Sequence, residues 1–229
     1  MKTDHSRNDS TTTDQAEMIH ESRTIERGDA TQVRATVQFG AGDLRIAGGA
    51  TSLLDADFSY NVPAWRPEID YTVNAEAGTL MVRQPKDKGG HNERNARQRW
   101  DLRFADDVPL ALRVQAGAVT GTLTVGDLTL TELQIETGAG TLTLDLAGVR
   151  QPFAVQIKGG VVNATIQLPA ALGTKVAVKA PIATVNAPGL RRVGGAYINA
   201  AYEPNAPAVA VTISGGVATI ALTDAAATR

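Results

Sequence analysis

Apolar and polar residues alternate over short stretches of this chain, and the alternation recurs around turns of small residues. The segment QIETGAGTLTLDL, Gln134 to Leu146, shows the unit: alternation, a glycine-alanine-glycine turn, and alternation again. The apolar residue three places before each turn serves as an anchor, and there are seven: Val37, Val73, Val114, Ile135, Ile157, Val178 and Ile213. Three places after them stand Gly40, Glu76, Gly117, Gly138, Gly160, Pro181 and Gly216. An apolar residue returns seven places after the anchor at Leu44, Leu80, Leu142, Val185 and Ile220. In the other two copies it returns at nine places, at Leu123 and Ile166, as though two residues were added. The residue after every anchor is polar: Gln38, Asn74, Gln115, Glu136, Lys158, Lys179 and Ser214. A period of two places one set of side chains inward and the other outward, which predicts strands. Glycine allows the chain to turn tightly between strand segments.

Successive anchors lie 36, 41, 21, 22, 21 and 35 residues apart. Three consecutive values near 21 predict a structural repeat of solenoid size. The expected fold is therefore all-β, a β-solenoid (parallel β-helix-like) with coils of about 21 residues, the longer intervals being coils with excursions. An antiparallel β-sandwich, each phrase a hairpin, is the alternative, because both folds alternate at two. The expected organisation is a disordered polar tail over 1–24 and a solenoid domain over 25–229. The domain divides into an N-terminal half, 25–100, and a regular-repeat half, 101–229.

Composition agrees with stacked strands. Apolar residues are 43% of the chain and aromatics only 4%, so the core must be aliphatic, and glycine is frequent at 22 residues. The net charge of −2 supplies no global field for nucleic acid or an anionic membrane, so no nucleic-acid partner is expected and membrane contact only indirectly. The absence of cysteine excludes disulfides and thiolate metal sites. The N-terminus has no apolar signal-peptide core, which points to the cytoplasm. The uncharged run Pro204–Thr223 is long enough for a membrane helix, but its prolines, glycines and alternating Val209, Val211 and Ile213 predict strands.

Three segments carry a family resemblance: FGAGDLRIAGGATSLLDADFSYN, WRPEIDYTVNAEAGTLMVRQP and WDLRFADDVPLALRVQAGAVTGTLTVGDLTLTELQIETGAGTLTLDL. In this order they resemble the bacterial toast-rack family, relatives of the C-terminal domain of LiaF-like cell-wall-active antibiotic response proteins. The resemblance implies a β-helix-like slab of parallel slices and association with the cell envelope or its stress response. It brings no catalytic residues with it.

Candidate chemistry is sparse. The histidines, His5, His20 and His91, have no metal-binding spacing, and no phosphate loop or nucleophile motif occurs, so no cofactor is expected. The pairs Asp55/Asp57 and Asp106/Asp107 read as solvated charges, since calcium needs many oxygen ligands. Threonines in TGTLTVGDLTLT and TGAGTLTLDL resemble the ladders of ice-binding solenoids, but over two rungs only, before Asn163 and Thr165. Two segments are candidate interaction surfaces. PAWRPEIDY groups Trp65, Arg66, Glu68 and Tyr71, which suit a sugar ring or a protein interface, or equally the capping of a solenoid end. KDKGGHNERNARQRW is the most basic stretch, with Arg94, Arg97 and Arg99, and reads as a solvated insertion or an arm for anionic polymers. The outward ladder Gln115, Glu136, Lys158, Lys179 is charge-compensated and offers no acid/base pair. The expected function is a non-enzymatic scaffold or protein-interaction module, working through a protein partner or self-association. The alternative is a carbohydrate- or cation-binding surface, with cell-wall glycan as the ligand.

Overall fold

The structure is a computed structural model that describes residues 17–85 and 95–224. Among these, fourteen strands join in one mostly parallel sheet, with a single 3-10 turn at Pro63–Trp65. Five strands are long: β2 (Gln32–Ala47), β7 (Leu110–Thr124), β8 (Leu130–Asp145), β9 (Ala154–Leu168) and β14 (Val209–Asp224). They lie side by side in parallel, in the order β2-β7-β8-β9-β14.

The connections dictate their shape. A straight strand of this length spans roughly 50 Å at about 3.3 Å per residue. Only Val125–Thr129 separate β7 from β8, and such a link reaches roughly 20 Å. Parallel neighbours in register therefore require each long strand to fold back on itself, and it does so at its glycine turn. Each strand contributes a front arm before the turn and a back arm after it, and the core fills the space between.

Two rows show the packing. In the front arms Val37, Val114, Ile135, Ile157 and Ile213 are register partners in succession and at most 2% exposed. In the back arms Ile46, Leu123, Leu144, Ile166 and Leu222 form the matching row. Each buried aliphatic contributes about 1.5–3 kcal/mol. The aromatics gather at the N-terminal end, where Trp100 meets Phe39 and Phe58 edge-on at 5.1 and 5.2 Å.

The two ends are built from shorter strands. At the N-terminal end the front layer adds β5 (Ala77–Arg83) and β4 (Glu68–Asn74) beyond β2. The back layer adds β6 (Gln98–Phe104), β3 (Leu54–Tyr60) and β1 (Ile19–Ile25). At the C-terminal end the front layer adds β10 (Thr174–Lys179), β13 (Ala196–Ile198) and β12 (Arg191–Val193) beyond β14. The back layer adds β11 (Ile182–Asn186) alone.

Several expectations change. Val178 joins the front row, but next to Ile213 and not Ile157, because β14 inserts between β9 and β10. Val73 does not join it: TVNAEAGTLMV is the antiparallel hairpin β4–β5, turning through Ala75 and Glu76, both at positive φ. This one phrase is the hairpin of the sandwich alternative. No residues are added at Leu123 and Ile166. The place seven after the anchor is held there by Gly121 and Ala164, which lie in register between Leu44, Leu142 and Ile220. Large and small residues alternate along that row, and a Cβ on Gly121 would come within 2.8 Å of Leu142. The boundary at 100/101 falls inside β6. Part of the expected tail is strand β1, held to β3 by Ser22–Asp57 at 2.6 Å and Thr24–Asp55 at 3.0 Å, while residues 1–16 lie outside the described residues. The run Pro204–Thr223 holds β14, and among the described residues no helix is long and apolar enough to cross a membrane.

Candidate binding groove at the glycine bends

Gly40, Gly117, Gly138, Gly160 and Gly216 stack where the long strands bend. A Cβ on Gly117 would lie 2.7 Å from the Gly40 carbonyl oxygen. On Gly138 it would lie 2.9 Å from that of Gly117, on Gly160 2.8 Å from that of Gly138, and on Gly216 3.0 Å from that of Gly160. Real Cβ atoms essentially never come within 3.0 Å of backbone, so Gly117, Gly138 and Gly160 must lack one, and Gly216 sits at that limit. None of these five has a positive φ; close approach selects glycine here.

At Gly40, among the described residues, no further main-chain rung continues the row beyond β2. The side chain of Gln84 takes the missing place. Its Oε1 accepts from Gly40 N at 2.9 Å and from Gln98 Nε2 at 2.6 Å. Gln98 Nε2 also donates to Ala41 O at 2.7 Å. Side-chain amides thus continue the hydrogen bonding that a main-chain rung would otherwise supply.

Beside the glycine row an open groove of about 800 Å³ crosses the coils. Its floor includes Gly40, Gly117 and Gly159, and Gln84 and Pro85 close one end. Its wall is the polar row that follows the anchors. Gln38 Nε2 donates to Gln115 Oε1 at 3.0 Å, and Gln115 Nε2 donates to Glu136 Oε2 at 3.1 Å. Arg113 donates to both carboxylate oxygens of Glu136 at 3.0 Å. These bonds to Arg113 and Gln115, with Lys158 nearby, hold the Glu136 carboxyl below its ordinary range. Glu136 therefore stays an anion at neutral pH. The row continues through Lys158 to Ser214 and then Lys179, so Ser214 separates the two lysines.

The aromatic candidates sit elsewhere, at the N-terminal end, and are committed to packing. Trp65 is buried. Tyr71 is half-buried, and its hydroxyl donates to Arg27 O at 2.7 Å. Arg66 pairs with Glu21 at 2.8 Å and Glu68 with Arg83 at 2.7 Å. Glu21 also bonds Arg23 and accepts from Tyr60 Oη at 2.8 Å, and these partners, Arg23 first, lower its pKa to about 2. The cluster is a cap of polar bonds over the end of the core. Arg97 is bound through its backbone to Asn61, at 2.7 Å from N to Oδ1. Arg99 pairs with Asp43 at 3.3 Å, and Arg94 lies outside the described residues. The groove unites none of the expected interaction residues. What it does unite, Gln38, Gln115, Glu136 and Lys158 at place one after the anchors and Gly40 and Gly117 at place three, was visible in the repeat; Gly159 and Gln84 had no such signal.

The outer face of the back layer carries a threonine row longer than two rungs. Thr120, Thr141, Asn163, Thr219 and Thr184 are successive partners and all exposed. Asn163 interrupts the row without ending it, since β14 and β11 continue it.

A family model described as the N-terminal domain of toast_rack, DUF2154, matches residues 13–167. No curated protein matches the chain. The crystal structure of a candidate cell adhesion protein from Clostridium sporogenes superposes with a TM-score of 0.86 at 29% identity, over 91% of this chain and 100% of that one. A candidate adhesin from Bacteroides fragilis matches with a TM-score of 0.33 at 11% identity, over 90% of this chain and 97% of that one.

Proposed function

Because this chain belongs to the toast-rack family, we propose that it is a non-enzymatic β-solenoid scaffold of the bacterial cell envelope that holds a protein partner in the groove at its glycine bends. The regular coils take about 21 residues, a reading supported by the register of Val114, Ile135 and Ile157. The observation that carries the proposal is the groove itself. It offers hydrogen-bonding side chains at strand spacing along a smooth glycine floor, which suits an extended segment lying across the coils. Its single carboxylate, Glu136, is held ionised by Arg113, so it is not poised to exchange a proton near neutral pH. The likeness to a candidate cell adhesion protein supports an interaction role at the envelope. Glycan binding loses its main support, because Trp65 and Tyr71 present no free aromatic platform.

Retention of the purified protein on bacterial envelopes tests this reading. Retention should be lost after the envelopes are treated with protease and kept after enzymatic solubilisation of their glycan. The double variant Gln38→Ser/Gln115→Ser, which leaves the Arg113–Glu136 pair in place, should lower retention with little change in melting temperature. Retention that survives protease and falls with the glycan would overturn the protein-partner reading.

A further inference from the structure

Three features of the solenoid ends point to the same partner, a second copy of this chain. The first is the chemistry of the four sheet edges. Unblunted strand edges invite pairing, and charge is a common way of blunting them. Edge strand β1 carries Glu21 and Arg23, β4 carries Glu68 and Asp70, and β12 carries Arg191 and Arg192. Edge strand β11, IATVN, carries no charge and, among the described residues, pairs only with β14. Its Ile182 is 65% exposed and ends an exposed aliphatic row that starts at Val161 and Val217.

The second feature is the stepped outline of the ends. The back layer extends three strands beyond β2 and one beyond β14; the front layer extends two and three. Placed head to tail, two copies would have four back-layer and five front-layer strands between β14 of one and β2 of the next. Placed tail to tail, the numbers are two and six; head to head, they are six and four. Only the head-to-tail arrangement brings the two layers close to equal length.

The third feature is charge. The described residues up to Asp145 carry seventeen carboxylates and ten lysines or arginines, whereas those after it carry two and six. The stack is acidic at its N-terminal end and basic at its C-terminal end.

We propose that copies of this chain stack head to tail, with β11 of one hydrogen-bonded to β1 of the next, so that the sheet runs on from molecule to molecule. On the front layer, Arg191 and Arg192 then face Glu68 and Asp70, which already flank Arg83. Such a contact joins two different surfaces, so it does not close into a dimer, and because each copy continues the sheet of the last along the stack it gives an open, linear assembly. It is independent of what the groove holds.

Sedimentation of the full chain across a wide concentration range tests this. At about 0.01 M salt the screening length is roughly 30 Å, and at about 1 M it is roughly 3 Å. The expected result is mass rising continuously with concentration at low salt and falling back toward the monomer at high salt. Ile182→Lys and, separately, Arg191→Glu/Arg192→Glu should each abolish the rise while keeping the parent's melting temperature. A chain that stays monomeric at every concentration in low salt, or stops at a dimer, overturns the proposal. So does a rise that neither Ile182→Lys nor the arginine reversals change.

Discussion

Replacing Gly138 by alanine is a small perturbation whose sign separates two accounts of the repeat. Gly138 has no positive φ, so alanine fits its backbone conformation. If the turn needed only flexibility, Gly138→Ala would stabilise the protein by about 0.4–1 kcal/mol, by restricting the unfolded chain. The structure says otherwise. The new Cβ would lie 2.9 Å from the Gly117 carbonyl oxygen, which is backbone in a paired strand and cannot swing aside. Relief requires two coils to part locally, and overpacking of this kind costs about 1–3 kcal/mol. In a chain of this size each kcal/mol moves the melting temperature by roughly 2–4 °C. Gly138→Ala should therefore melt roughly 2–12 °C below the parent, and Gly117→Ala and Gly160→Ala should behave alike. Gly40→Ala is the internal control. Its Cβ would meet the Gln84 side-chain amide and not backbone, so in a Gln84→Ala background, where that amide is absent, Gly40→Ala should add little further loss. Urea unfolding of these variants measures the losses. A neutral or stabilised Gly138→Ala would refute the close-approach account.

Further expectations follow from other residues. Ile135→Ala should lose about 2–5 kcal/mol from the core row, whereas Val73→Ala, at 37% exposure, should change stability by less than about 0.5 kcal/mol; equal losses in urea titrations would mean that the two anchors are equivalent after all. Gln84→Ala leaves Gly40 N and Gln98 without their shared acceptor and should cost about 1–3 kcal/mol in the same assay; no loss would show that the amide does not continue the ladder. Glu21 is ionised more readily in the fold than in the unfolded chain, so its stabilisation is present above its ordinary pKa and is lost as pH falls toward about 2. Glu21→Gln should accordingly flatten the decline of stability between about pH 5 and pH 2, and an unchanged decline in melting temperature would rule this carboxylate out as its source.

Much of the solenoid was legible because its rules are local. An inward aliphatic, an outward polar residue and a glycine where strands cross closely recur at fixed offsets, and each reflects a contact between neighbouring coils. The false copy at Val73 has Glu76 in place of glycine, yet Pro181 fills the same place after Val178, which does join the row, so that place alone could not separate them. The hairpin turn through Ala75 and Glu76, two left-handed residues, needs no close approach to another coil. The end caps were hidden for a different reason. Strand β1 has only Ile19 and Ile25 as apolar partners and is held by side-chain bonds to Asp55 and Asp57, which leave no periodic signal. The groove was half legible. Gln115, Glu136 and Lys158 followed from the period, but Gln84 acts by bonding Gly40 N and Gln98 from outside the repeat, and such contacts are visible only once the neighbours are placed. Trp65 and Tyr71 looked like a binding pair because aromatic residues beside charge suit both a surface and a cap; the bonds from Tyr71 to Arg27 and from Arg66 to Glu21 decide for the cap.

The insertion of β14 between β9 and β10 bears on how the molecule is made. The other long strands come off the ribosome in the order in which they stack, so each can settle on its predecessor. β9 cannot be given its second neighbour until some forty further residues have been synthesised, and the β10–β13 segment must wait for the same strand before it can dock. The nascent chain thus carries an open, unpaired edge on β9 through the last stage of translation, the circumstance in which intermediates aggregate. Closure comes in one late step, in which a single strand joins the two parts of the slab.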